Sequence, residues 1–137
     1  MESKLDDVFF IRLQASLFCR EIVYQQGEIS IGNWIYEFSW KDATRPFYIV
    51  HEWCCSIDHP LTCTEEIQLV DPDGNVEFIL RMSPFVIGER FWDVTRNFWE
   101  VTDFKPEKNG IYEVRTTLLV VESELPLFYQ MDPLRIV

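Results

Sequence analysis

Both histidines and three of the four cysteines of this chain fall within one stretch, HEWCCSIDHPLTC. Thiolates and imidazoles are the ligands that zinc prefers, so the composition suggests a metal site. On an extended strand, however, His51 and Cys55 lie about 13 Å apart, at ~3.3 Å per residue, and Cys54 faces the opposite way. Donors around one zinc lie only ~2.0–2.3 Å from the metal. The spacing therefore predicts buried, thiol-bearing core residues and no metal ion.

His59 and Cys63 follow in the next loop and could approach each other. They would supply two zinc ligands where four are needed. As a base and a nucleophile they lack a third residue that would orient the pair. The sequence also contains no G-x-S-x-G, no phosphate-binding glycine loop and no H-E-x-x-H. We therefore predict a protein that is not an enzyme and needs no cofactor.

A second candidate for chemistry is LVDPDGN, which interrupts an apolar run. Asp71, Pro72 and Gly74 stand at the first, second and fourth positions of a β-turn, which those residue types favour. The spacing does not fit an EF-hand, because Pro72 and Gly74 occupy the wrong positions. A calcium site that borrows Asp93 or Asp103 from another loop is the alternative. We predict that the stretch turns the chain.

Negative charge is concentrated in the middle of the chain. The net charge is -11, from 23 acidic and 12 basic residues, which disfavours binding to a phosphate backbone. Residues 46–80 hold no Lys or Arg and seven carboxylates: Glu52, Asp58, Glu65, Glu66, Asp71, Asp73 and Glu77. One interpretation is a solvated face that maintains solubility. The other is a surface for a basic partner, with Glu65, Glu66 and Glu77 as its binding residues.

Aromatic residues make up 15% of the chain and include five Trp. Phe91-Trp92 and Phe98-Trp99 are adjacent pairs, and adjacent strand residues face opposite sides of a sheet. Each pair is therefore expected to send one ring inward and one outward. Core packing is one interpretation. The other is an exposed platform for a sugar ring or a protein partner, with Trp34, Trp92 and Trp99 as anchors.

The composition also indicates a compartment. No apolar run approaches the ~20 residues that cross a bilayer, and the first residues, MESKLDD, lack the basic region of a signal peptide. We predict a cytoplasmic protein that does not insert into a membrane. The four thiols are then expected to be reduced. They are Cys19, Cys54, Cys55 and Cys63.

Alternation of apolar and polar side chains dominates the chain. Residues 8–19, 76–82 and 111–121 alternate with a period of two, as strands do, although a helix over residues 15–24 is possible. Gly32-Asn33 reads as a turn. The sequence predicts an all-β fold with seven or eight short strands and no long helix. We expect one antiparallel β-sandwich over residues 1–137, with a barrel as the less favoured alternative.

LVDPDGN and, about thirty-five residues later, NGIYEV resemble small immunoglobulin-like β-sandwich domains. With QQGEISIGNWIYEF and RPFYIV, the chain is similar to an uncharacterised bacterial domain family of that architecture. The resemblance implies that the turn joins neighbouring strands and that Gly110-Ile111-Tyr112 opens a late strand as a tyrosine corner. The chain lacks the Cys…Trp…Cys spacing of antibody domains, and the resemblance implies no activity.

The sequence thus predicts a non-catalytic protein–protein interaction module with an acidic surface and a partner that is another protein with a basic surface. A module that binds carbohydrate or another small ligand through exposed Trp residues is the alternative.

Overall fold

Ten β-strands build the computed structural model, which describes residues 10–39, 45–57, 59–90, 92–102 and 104–137. The strands are β1 (Phe10–Gln25), β2 (Glu28–Ile35), β3 (Glu37–Phe38), β4 (Phe47–Ser56), β5 (Leu61–Val70), β6 (Val76–Arg81), β7 (Phe85–Ile87), β8 (Asp93–Val101), β9 (Gly110–Val120) and β10 (Pro126–Ile136). The described residues include no helix that could cross a membrane.

The strands form two sheets. The four-stranded sheet has the order β2-β1-β4-β8, and the six-stranded sheet has the order β3-β10-β9-β5-β6, with β7 also paired to β5. The chain crosses between the sheets after β2, β3, β4, β7 and β8, as the Greek-key connections of an immunoglobulin sandwich do. The predicted all-β, immunoglobulin-like sandwich is confirmed. The strand count is ten because the short strands β3 and β7 add to the predicted set.

The first hairpin differs from the prediction. Residues 15–24 belong to the strand β1, which continues to Gln25, so the helix considered there is wrong. Gln26 (φ 52°) and Gly27 (φ 79°) form the turn between β1 and β2. A two-residue type I′ hairpin loop requires a positive φ at both central positions, and both residues have one. Gly32-Asn33 lies inside β2 instead. Asn33 there has a positive φ of 55°.

The core fills the space between the sheets in two clusters. The first cluster is rich in phenylalanine, and Phe18, Phe38 and Phe47 pack edge to face or tilted with ring centroids 4.7–6.1 Å apart. The second cluster surrounds Trp53, whose ring meets the edge of Phe128 at 5.1 Å. Aromatic pairs of this geometry add to the stabilisation from burial alone. The alternating inward residues of β4 and β5 reach both clusters.

Candidate binding surfaces

The DPDG segment forms the predicted turn. The Asp71 carboxylate accepts the backbone N–H of Asp73 at 2.9 Å and of Asn75 at 2.8 Å, and the Gly74 N–H donates to the Asp71 carbonyl at 3.0 Å. Gly74 has a φ of 92°, which glycine adopts without a steric cost. The turn joins β5 to β6. The interpretation of LVDPDGN as a chain reversal is confirmed.

A lysine missed by sequence reasoning joins this turn. The Lys108 Nζ lies 3.1 Å from Asp71 Oδ2 and 2.6 Å from Asp73 Oδ2. Its backbone is held by the predicted tyrosine corner, in which the Tyr112 hydroxyl donates to the Lys108 carbonyl at 3.1 Å and accepts the Lys108 N–H at 3.3 Å. An ammonium group therefore balances the two carboxylates that the calcium alternative would have used.

The turn should make stability depend on pH. The pKa of Asp71 is lowered to about 2, chiefly because the Asn75 N–H and then the Lys108 ammonium stabilise the carboxylate, whereas an unfolded Asp titrates near ~3.9. A lowered pKa in the folded state contributes stability above the unfolded pKa, and that contribution is lost as the pH falls from about 4 to about 2. We expect Asp71→Asn to be less stable than the parent in urea at pH 6. The two midpoints should converge below pH 4. A gap between them that does not change with pH would contradict this assignment.

Glu65 does not lie on a binding surface. Its side chain is fully buried, and its Oε1 lies 2.6 Å from Nδ1 of His51, which is also fully buried. The inward face of β5 carries Cys63, Glu65 and Ile67, so the pair joins β4 of one sheet to β5 of the other. The prediction of Glu65 as an exposed binding residue is wrong because the alternation of β5 points it into the core.

The other predicted acidic residues do not form a field of one sign. Glu66 is half-buried on the outward face of β5, directly opposite Arg81 of β6. Glu77 is half-buried too, and burial raises the pKa of its carboxyl. Glu52 is paired with Arg96 at 2.8 Å. Asp58 lies outside the described residues. The carboxylates are divided between the core, ion pairs and both sheets, so they do not lie together on one surface.

The three predicted tryptophan anchors occupy different settings. Trp34 is 51% exposed and Trp92 is 57% exposed, with its ring stacked on Phe10 at 5.6 Å. Trp99 is half-buried against the core, and its ring meets the edge of the His51 ring at 5.1 Å. Two of the three rings are therefore available to solvent. Phe91, the neighbour of Trp92, lies outside the described residues.

The outward side of the four-stranded sheet is unusually apolar. We call it the apolar face and define it by the outward side chains of β1, β4 and β8, with the ring stacked on them: Phe10, Leu17, Val50, Cys54, Trp92, Val94 and Phe98. Val94 and Phe98 are 47% and 39% exposed. Val50 faces Phe98 and Cys54 faces Val94 in register, so apolar side chains lie side by side on neighbouring strands, with the Glu52–Arg96 ion pair between the two apolar pairs.

The six-stranded sheet provides an internal comparison. Its central strands β5 and β9 carry mostly polar side chains on the outward side: Glu66, Gln68, Glu113, Arg115 and Thr117. Three exposed apolar side chains share that side of β9 and β10: Ile111, Tyr129 and Met131. An antiparallel sheet with one face in solvent normally shows this alternation.

Two clefts open at the edges of the sandwich. One, of about 520 Å³, lies between β1, β2 and β10 and is lined by Trp34, Tyr36 and Gln14 among others. The other, of about 380 Å³, lies between β8 and residues 82–85 and is lined by Asn97 and Trp99 among others. Among the described residues, the buried amide Nδ2 of Asn97 has no hydrogen-bond partner. The second cleft thus offers an unused donor beside an aromatic ring.

The cysteines are buried thiols. Among the described residues, which include all four, no two are joined by a disulfide. Burial raises the pKa of Cys19 and Cys55, and raises that of Cys63 to about 11. The thiolate, which is the nucleophilic and metal-binding form, is therefore disfavoured. In the described part of the chain, no three His, Cys, Asp or Glu residues lie close enough to hold a metal ion.

Comparison with known proteins reveals a shared fold. No protein-family model and no curated protein sequence matches this chain. Among solved structures, the C-terminal domain of Wzt superposes with a TM-score of 0.59 at 8% identity, over 93% of this chain and 73% of that one. A calcium-binding mutant of a β-glucuronidase from Bacteroides uniformis gives 0.56 at 16% identity, over 94% of this chain and 13% of that one.

An immunoglobulin-like protein from Pseudomonas aeruginosa superposes with a TM-score of 0.37 at 14% identity, over 92% of this chain and 97% of its own. At the identities of the first two structures, the likeness concerns the fold alone. The chain corresponds to one small part of the glucuronidase and to most of the Wzt domain. The chain's own two-sheet topology makes it a small immunoglobulin-like β-sandwich.

Proposed function

We propose that this domain is a non-catalytic interaction module that binds another protein, in the cytoplasm, through the apolar face. The carrying observation is the group of exposed apolar side chains on the four-stranded sheet and stacked against it: Phe10, Trp92, Val94 and Phe98. Contiguous apolar patches rimmed by polar groups mark interaction sites on soluble proteins. Large aromatic anchors supply most of the affinity in such interfaces.

The polar groups on this face support a protein partner over a sugar. The Glu52 carboxylate accepts the Arg96 guanidinium at 2.9 Å, and the amide of Gln14 donates to its other oxygen. The Tyr48 hydroxyl donates to Glu100 at 3.2 Å. Ligand sites use a few convergent polar groups to fix orientation, and here these groups are already engaged. The partner that fits is an apolar protein surface rimmed by charges.

The test is capture from a lysate of the native cell with matched variants. Val94→Asp places a charge in the middle of the apolar face, and Ile79→Asp places the same charge at an equally exposed site on the other sheet. We expect a protein captured in stoichiometric amounts by the parent and by Ile79→Asp, and lost with Val94→Asp. Burying an unpaired charge costs several kcal/mol, enough to abolish ordinary binding. Equal capture by both variants would refute the proposal.

Carbohydrate binding is the second candidate, and it is favoured by the cleft beside β8. Trp99 offers a half-buried ring there, and Asn97 offers an amide donor without a partner. A sugar ring stacks on an aromatic face and accepts hydrogen bonds from such donors. An oligosaccharide that quenches tryptophan fluorescence saturably in the parent, and no longer does so in Asn97→Ala, would support this candidate. A panel of oligosaccharides without effect would exclude it.

A further inference from the structure

The β1–β2 hairpin extends beyond the sandwich as a two-stranded arm. β1 pairs with β4 only as far as Cys19, which lies opposite Tyr48. From there its pairing with β2 continues alone, from Glu21 opposite Gly32 to Gln25 opposite Glu28. We call residues 21–32 the arm. β2 is the edge of its sheet, so within the described residues one side of its backbone pairs with no other strand.

The arm has an apolar side. Ile22 lies opposite Ile31 in register, and both are only half-buried, while the Tyr24 side chain on the same side is 65% exposed. By strand alternation, this side continues the inward face of β1, which Phe18 lines inside the sandwich. In the arm the six-stranded sheet no longer covers it. The apolar side is thus an extension of the core face without its second layer.

A two-stranded ribbon of this kind is marginally stable in water, since three or more strands or a packed face are normally needed. An open edge strand also presents unpaired N–H and C=O groups that accept a further strand. Extended segments of partner proteins bind such edges through main-chain hydrogen bonds, with alternate side chains giving specificity. The arm has both the open edge and the apolar side that this mode of binding requires.

Charge selects among the possible partner segments. Residues 21–35 include Glu21 and Glu28 and no Lys or Arg. Like charges opposite one another on neighbouring strands are destabilising, and opposite charges are stabilising. A second copy of the arm would bring carboxylates against carboxylates. A segment in which apolar and basic side chains alternate would place its apolar residues along Ile22 and Ile31 and its cations beside the carboxylates.

We infer that the arm binds an extended segment of a partner protein with alternating apolar and basic residues, which adds as a strand to the free edge of β2. This inference rests on the proposed function, because it names a second contact and the chemistry of the partner. The acidic contact is then made by Glu21 and Glu28 of the arm.

The test uses a blocked octapeptide of alternating Val and Lys, with alternating Val and Glu as the matched probe. We expect the Val–Lys peptide to bind the parent and to slow hydrogen exchange of amides in residues 21–35, and the Val–Glu peptide to do neither. Glu28→Lys should weaken binding at least about tenfold, which corresponds to ~1.4 kcal/mol. Glu122→Lys changes the net charge by the same amount in the exposed turn between β9 and β10, and it should leave the affinity unchanged.

Three results would overturn the inference. Equal affinity for the Glu28→Lys and Glu122→Lys variants would show attraction by net charge alone. Protection of the arm amides that rises with the concentration of the protein itself would assign the edge to a second copy. A peptide that does not bind, while Val94→Asp loses its captured protein, would remove this inference and leave the proposed function in place. If neither Val94→Asp nor Glu28→Lys loses the captured protein while the peptide still binds the arm, the proposed function fails and this inference stands.

Discussion

Replacing Glu65 by Ala should lower the free energy of unfolding by about 3–5 kcal/mol, because removing one partner of a buried pair leaves the other uncompensated. His51 has no exposed surface, and its Nε2 has no hydrogen-bond partner within the described residues. Loss of the 2.6 Å contact with the Glu65 carboxylate would leave both ring nitrogens unsatisfied in the core. Urea unfolding followed by tryptophan fluorescence measures the change.

A neighbouring substitution and a double variant complete this experiment. Glu66→Ala removes the adjacent, outward carboxylate and should change the stability by no more than about 0.5 kcal/mol. In the double variant His51→Leu with Glu65→Leu, the polar pair is replaced by apolar side chains, which is often neutral or stabilising. We therefore expect it to be more stable than Glu65→Ala. The single variants His51→Leu and Glu65→Leu complete the cycle. If the double variant loses as much stability as the two single variants together, His51 and Glu65 are not coupled.

Gly88→Ala should cost roughly 2–5 kcal/mol, since it combines two penalties. Gly88 has a φ of 79°, a left-handed conformation that costs other residues about 1–2 kcal/mol. A methyl group there would also overlap the Ile57 side chain, which belongs to the second core cluster. Forcing extra volume into a packed core typically costs about 1–3 kcal/mol. The urea midpoint of the variant measures the total.

Gly74→Ala separates the two penalties. Gly74 also has a positive φ, 92°, but nothing lies within 4 Å of a methyl group built there. It should lose only the conformational part, about 1–2 kcal/mol. Shortening Ile57 to Val in the Gly88→Ala background should return part of the loss. Equal losses for Gly74→Ala and Gly88→Ala, with no recovery from Ile57→Val, would exclude the overlap as a cause.

The features that the sequence predicted correctly are local ones. Asp71, Pro72 and Gly74 make a turn through contacts within five residues, and Tyr112 reaches a carbonyl only four residues back. Alternation of apolar and polar residues likewise identifies strands without any knowledge of their neighbours. These preferences act before the rest of the chain is in place, so the pattern was sufficient for the all-β sandwich.

The errors arose where two distant segments meet. As a carboxylate, Glu65 is expected on the surface. Its position two residues before Ile67 in the alternation favours the inward face instead, and its partner His51 is fourteen residues away. Lys108 reaches the DPDG turn from a different part of the chain, 35 residues from Asp73. No periodicity reports such pairings. The apolar face was also hidden, because the aromatic residues that form it look like core residues in the sequence.

The parallel pairing of β3 with β10 has a consequence for how the domain assembles. Glu37 and Phe38 lie in register with Arg135 and Ile136, so the backbone of β3, in the first third of the sequence, finds its strand partner in the tenth strand. Closing such a long loop costs entropy before any contact returns it, and non-local pairings slow folding. A chain that has been synthesised only as far as β9 therefore leaves the rings of Phe38 and Phe47 without the cover of Leu134 and Ile136. In a growing polypeptide, that uncovered cluster is the surface that a chaperone would meet first.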